Sequence, residues 1–184
     1  MEELKPLSEL TTIDERHVLV GQISGRMHSL ESLHRAVSSI EMHEGVPEKI
    51  VGQFNVARNM ALYQYFCYAL APEVQLKTYT IIELALKTRA NSDKRLTLGA
   101  LIRLAVQKNW ISDAGFSHIA DPKPENPYCQ TLIRVLPDLR NASAHGSTHL
   151  TPDSVGHLQK CADLVNQLFA QVQSTFEQKT GVAA

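Results

Sequence analysis

Apolar residues recur along this chain at steps of three and four, the spacing that lines one face of an α-helix, and no stretch shows the alternation of a half-buried strand. The expected fold class is all-α. Ile23, Met27, Leu30, Leu33, Val37 and Ile40 describe one face of a long first helix over residues 13–43, closed by Glu44-Gly45-Val46-Pro47. Pro47 suits a helix start, and Ile50, Phe54, Ala57, Ala61 and Tyr65 mark the inner face of a second helix that ends before Pro72. Pro72 opens a third, in which Val74, Thr78, Ile82, Ala85 and Leu86 share a face while Glu83 and Lys87 form an i,i+4 pair on another.

Beyond Asn91-Ser92-Asp93, a fourth amphipathic segment carries Leu98, Leu101, Ile102, Ala105 and Val106 to about Asn109. Residues 111–127 hold Gly115, Pro122, Pro124 and Pro127 and form the longest irregular connection, which can serve a site. Asn126 then reads as a cap and Pro127 as the first position of a fifth helix, carried by Leu132, Ile133, Leu136 and Leu139. Pro137 lies inside it, so a kink or a break before Asp138 must be allowed. Thr151-Pro152 starts a last helix that turns Val155, Leu158, Ala162, Val165, Phe169 and Val172 to the core. These segments predict a bundle of five to six helices in a single domain over residues 1–184, with 1–12 and 179–184 flexible.

Composition narrows the partners. The 184 residues are 43% hydrophobic and 20% charged with a net charge of −1, which argues against a broad basic surface, so any nucleic-acid contact must be local. Cys67, Cys129 and Cys161 stand far apart without a C-x-x-C pair, which suggests neither a zinc knuckle nor a disulfide framework. Met1-Glu2-Glu3-Leu4-Lys5-Pro6 lacks the features of a secretory signal, and no apolar run approaches membrane-spanning length. The expectation is a soluble cytoplasmic protein with no membrane contact, no metal and no cofactor.

One segment carries chemistry. Leu139-Arg140-Asn141-Ala142-Ser143-Ala144-His145-Gly146 puts an Arg, an amide and a His together near a helix end. RNA brings its own nucleophile, the 2′-hydroxyl, so cleavage requires proton transfer and stabilisation of charge on the phosphorane. Arg140 offers a planar fork to the non-bridging oxygens, and Asn141 can orient the phosphate or the His. His145 can take the 2′ proton or protonate the departing 5′ oxygen, since an unperturbed imidazole titrates at roughly 6.5. At about 100° per residue, Asn141 and His145 fall roughly 40° apart on a helix, whereas Arg140 and His145 differ by about 140°. One regular helix therefore does not converge all three. Arg140 must reach around, Gly146 must end the helix and turn His145, or a second subunit must contribute.

The segment resembles the R-x4-6-H motif of HEPN domains in the form where a polar residue follows the Arg, and Ile82-Glu83-Leu84-Ala85-Leu86-Lys87 resembles the family's apolar-Glu-x-x-Leu-Lys helix. The likeness covers roughly residues 50–175, and Ala144 stands where many HEPN nucleases have Tyr. It implies a dimer with two motifs facing across one cleft, and a metal-independent endoribonuclease with catalytic Arg140, Asn141 and His145. Glu83 and Ser143 are the supporting candidates. The implied products are a 2′,3′-cyclic phosphate and a 5′-hydroxyl. It also implies an RNA substrate and a role as toxin, phage-defence effector or RNA-processing enzyme, with a nucleotidyltransferase as a common antitoxin partner. The alternative is a non-catalytic HEPN domain that binds RNA, nucleotide or a protein through the same cleft.

Other groupings are weaker. His145 and His149 have metal-ligand spacing only on an unbroken helix, which Gly146 and Ser147 interrupt. His17, His28, His34 and His43 read as surface or interface residues, and His118 as a solvated loop residue able to line a cleft. Glu83 could hold Arg140 or His145, or simply pair with Lys87. Tyr63, Tyr65, Phe66 and Tyr68 wrap a helix and suit core and interface better than base stacking.

Overall fold

In the computed structural model the described residues are 3–25, 29–91, 95–145 and 153–180, excepting the side chains of Ser24 and residues 171–180. Among them are seven α-helices and no strand: α1 (Glu15–Ser24), α2 (Leu30–Ser38), α3 (Glu48–Tyr63), α4 (Ala71–Ala90), α5 (Leu98–Gln107), α6 (Pro127–Ala144) and α7 (Ser154–Thr180). No helix among these residues is long and apolar enough to cross a membrane.

α4 is the axis of the bundle, packing against α7, α3, α6 and α5. Its sequence explains why: Val74, Thr78, Ile81, Ile82, Ala85 and Leu86 are buried over more than one face, so the helix needs neighbours on several sides. Ala57, Ala61, Ala85 and Ala162 lie at the contacts and let the helices approach closely. The inner faces predicted for α3, α4 and α5 are buried, except that Val106 is partly covered and Tyr65 lies beyond the end of α3 and is only half-buried. On α7, Leu158, Ala162, Val165 and Phe169 are buried and Val155 partly so. Val172's side chain, the helix start at Thr151-Pro152 and the tail 181–184 lie outside the described residues.

The first expected helix is two helices, which raises the count from the expected five to six to seven. Gly25 ends α1 at φ +67, its N–H bonding the Gly21 carbonyl, and Ser29 starts α2 by accepting from the Ser32 N–H. Val37 and Ile40 reach the core, but Ile23, expected on the same face, is 87% exposed because α1 does not continue into α2. Met27 falls outside the described residues. The segment before α1 is tied to the α3–α4 junction: Asp14 accepts from the Tyr68 N–H at 2.9 Å and Lys5 Nζ donates to the Phe66 carbonyl at 2.7 Å. A hydrogen bond from Arg16, opposed by burial and aided by the Tyr68 and Arg16 N–H groups, holds the Asp14 carboxyl far below its ordinary range.

α6 departs from expectation at its first turn. Asn126 adopts φ +50 and makes no side-chain cap; Asp113, fourteen positions before Pro127, caps instead. Its two carboxylate oxygens accept from the N–H groups of Tyr128 at 3.0 Å and Cys129 at 2.9 Å, while Asn126 Oδ1 accepts from the Asp113 N–H. Pro137 neither ends nor restarts the helix, which runs unbroken to Ala144. Lacking an N–H, Pro137 leaves the Ile133 carbonyl without its helical donor. That carbonyl faces Gly99 of α5, where an added Cβ would sit 3.0 Å from the Ile133 oxygen and 3.5 Å from Pro137 Cγ. The glycine and the proline thus let α5 and α6 meet backbone to backbone.

Candidate functional site

Where α5 and α6 meet, a groove of about 710 Å³ is lined by Gly99, Pro137, Arg103, Arg134, Arg140 and Asn141. Glu83 reaches it from α4. Arg140 Nη2 donates to Glu83 Oε2 at 2.9 Å, and Arg140 Nη1 donates to Asn141 Oδ1 at 3.1 Å. Glu83 Oε1 accepts from Lys87 Nζ at 2.6 Å, so the carboxylate is shared between two cations. Of the three partners named for Glu83 in the sequence, two are held at once, Lys87 along the helix and Arg140 across it, and no contact joins it to His145.

The electrostatics follow from burial. Desolvation pushes the Glu83 pKa up, but hydrogen bonds and charge from Lys87 and Arg140 outweigh it and the pKa is lowered. The Glu83 side chain is 17% exposed and that of Arg140 36%. A guanidinium carries five N–H donors, and these two contacts use one on each terminal nitrogen. Three arginines against Glu83 and Asp138 make the groove locally basic on a chain of net charge −1.

His145 lies elsewhere. It is the exposed C-cap of α6 at φ −88 and ψ 12, its N–H bonding the Asn141 carbonyl, and it does not line the groove. The helix keeps its regular turn through Ala144, so Arg140 and His145 diverge on one chain as the helical angles require. Asn141 is exposed beside Arg140, and Ser143 is half-buried in the last turn. Leu139, expected on the core face, is 43% exposed. Gly146 and His149 lie outside the described residues.

Arg103 and Arg134 are groove residues that sequence reasoning missed. Arg134 stands seven positions before Asn141, two helical turns along the same face, and so was available from the periodicity. Arg103 joins only through the α5–α6 packing, for which the sequence offers no signal. Of the other histidines, His17 and His43 are tied into the fold, while His118 is exposed on the 111–126 loop with its ring 4.9 Å from that of Tyr128. His17 stacks on Tyr65 at 5.7 Å and its Nε2 meets the Gln64 carbonyl at 2.9 Å. His43 accepts from the Gly45 N–H at 2.9 Å and its Nε2 meets the Asn166 carbonyl at 2.9 Å. His34 is exposed and His28 lies outside the described residues. Tyr68 is buried while Tyr63 is 64% exposed, so the aromatic group is divided between core and surface. Among the described residues, no three His, Cys, Asp or Glu side chains cluster as metal ligands do.

Compared with protein-family models, with curated proteins and with solved structures, the chain has no match.

Proposed function

We propose that the protein is a metal-independent endoribonuclease of HEPN type, working as a cytoplasmic homodimer whose two Arg140–His145 segments complete one site. The observation that carries this reading is Arg140: its guanidinium is fixed by Glu83 and Asn141, yet remains part-exposed on a groove that also presents Arg103 and Arg134. A clamp of this kind presents a fork of donors at a set angle, which is what stabilising a phosphorane requires. The 2′-oxygen of RNA attacks phosphorus as its proton passes to a base; the 5′-oxygen leaves with a proton from an acid, giving a cyclic phosphate and a 5′-hydroxyl. His145 supplies the proton transfers. Because Arg140 and His145 diverge on α6, His145 of one chain serves the Arg140 of the other. In this reading Ser143 supports the motif, a toxin or defence role follows, and a nucleotidyltransferase is a fitting antitoxin.

A second reading, a module that binds RNA, nucleotide or a protein without cutting, is favoured by two observations: Glu83 already neutralises Arg140 in part, and His145 does not line that groove. Parallel assays on wild type, His145→Ala and Arg140→Ala separate the two. The nuclease reading expects His145→Ala to lose about 10²–10⁴-fold in cleavage with RNA affinity retained. Arg140→Ala should weaken both, and cleavage should survive EDTA. A wild type that binds RNA but never yields a 2′,3′-cyclic phosphate end leaves the binding module.

A further inference from the structure

On the other side of α4 and α6 from the Arg140 groove, a half-open cavity of about 350 Å³ lies between these helices, α7 and the 111–126 loop. Its volume falls at the lower end of the range of small-molecule sites, roughly 300–1,000 Å³. Ile82, Leu132, Leu136 and Leu164 supply apolar walls, and Phe116 and Tyr128 meet edge to face at 4.9 Å to form a rigid aromatic side. The polar lining is Thr78, Thr131, His118, His157 and Lys160 besides the two tyrosine hydroxyls. His157 and Lys160 lie one turn apart on α7, and no carboxylate lines the cavity. Lys160 is held only loosely, Asp153 lying 3.7 Å from its ammonium and 61% exposed. Burial, reinforced by Lys160 against Asp153, lowers the His157 pKa, so its imidazole is neutral at pH 7 and can donate or accept.

An apolar chamber lined by one ammonium, whose carboxylate partner is long at 3.7 Å and lies outside the lining, matches a ligand with an apolar body and one anionic head. We propose that this cavity binds a small amphipathic monocarboxylate, its hydrocarbon against Ile82, Leu132, Leu136 and Phe116 and its carboxylate on Lys160 and His157. The carboxylate displaces the long Asp153 contact with a short charge-assisted one. A dicarboxylate or a sugar phosphate fits poorly, since among the described residues Lys160 is the one Lys or Arg that lines the chamber.

Isothermal titration of the intact protein with octanoate and octan-1-ol tests this, with Lys160→Met and Thr131→Trp as variants. Lys160 is part-exposed and Thr131 sits exposed at the mouth, so neither change should disturb folding, and circular dichroism verifies that. Octanoate should bind one per chain, more tightly than octanol. Lys160→Met should weaken octanoate about tenfold and leave octanol unchanged, the loss of one part-exposed charge-assisted contact. Thr131→Trp should weaken both. No saturable octanoate binding, equal octanoate affinity in Lys160→Met, or unchanged binding of both ligands in Thr131→Trp would each overturn the assignment.

Discussion

Replacing Glu83 by Gln keeps the shape of the clamp and removes its charge. The contact to Lys87 is exposed on the lysine side, a class of pair worth about 0.3–0.5 kcal/mol. The contact to Arg140 is better covered, and losing its charge assistance costs about 1 kcal/mol. Together the variant should lose about 1–1.5 kcal/mol at pH 7, and for a chain of this length that lowers Tm by roughly 3–5 °C. The pH dependence follows from the direction of the shift. The Glu83 pKa is lowered from 4.5 by folding, so its contribution is fully present above the unfolded value and is lost as pH falls through the folded one. Thermal unfolding followed by circular dichroism should therefore show a constant gap between wild type and Glu83→Gln from pH 6 to 8. The gap should narrow progressively below about pH 4.5. A gap that stays the same size at acid pH would refute the charge argument and leave only shape or packing as the cause.

Two glycines should respond with opposite sign to Ala. Gly52 lies in α3 with nothing within 4 Å of an added Cβ, so Gly52→Ala should stabilise by about 0.5–1 kcal/mol in urea unfolding. Gly99→Ala presses on the Ile133 carbonyl at 3.0 Å and should destabilise by about 1 kcal/mol despite the same helical gain. Thiol titration supplies a third check. Burial, with the hydrogen bond and charge of Asp113, pushes the Cys129 thiol up to about 12, and burial alone raises Cys161 well above its ordinary value. Ellman's reagent at pH 8 should therefore find only Cys67 in the native protein and all three thiols in denaturant; rapid reaction of Cys129 or Cys161 would mean the core opens there.

Helical periodicity identified the inner faces of α3, α4 and α5 because those helices each bury a repeating stripe, and Val74, Ile82 and Leu101 sit where that stripe puts them. It failed in the first segment. Ile23 and Val37 are in register over residues 13–43, but register persists through a break, and the left-handed conformation of Gly25 leaves no trace in spacing. Spacing also left open whether Pro137 breaks its helix; the helix runs on to Ala144, and the carbonyl that Pro137 orphans lies against Gly99 of a neighbouring helix, a tertiary fact. At the site, Arg140 and Asn141 were legible as neighbours, and helix spacing paired Glu83 with Lys87; its contact with Arg140 depended on α4 packing beside α6, which spacing does not give. Arg103 was not legible, because it reaches the groove only through the α5–α6 crossing. The separation of Arg140 from His145 followed from turn angle alone.

Asp113 gives the helix that bears Arg140 an unusual dependence on distant parts of the chain. The loop that holds it is pinned to α7 twice, by Gln167 Oε1 accepting from the Ser112 N–H at 2.8 Å and by Asp163 accepting from the Ser117 N–H at 2.9 Å. The first turn of α6 is thus finished by a carboxylate whose position is set by residues more than thirty places downstream. During synthesis from the N-terminus, Arg140 and Asn141 emerge before the segment that seats their own helix. The Arg140 groove therefore reaches its final form only after α7 has docked, and the chain does not present a finished groove while it is still being made.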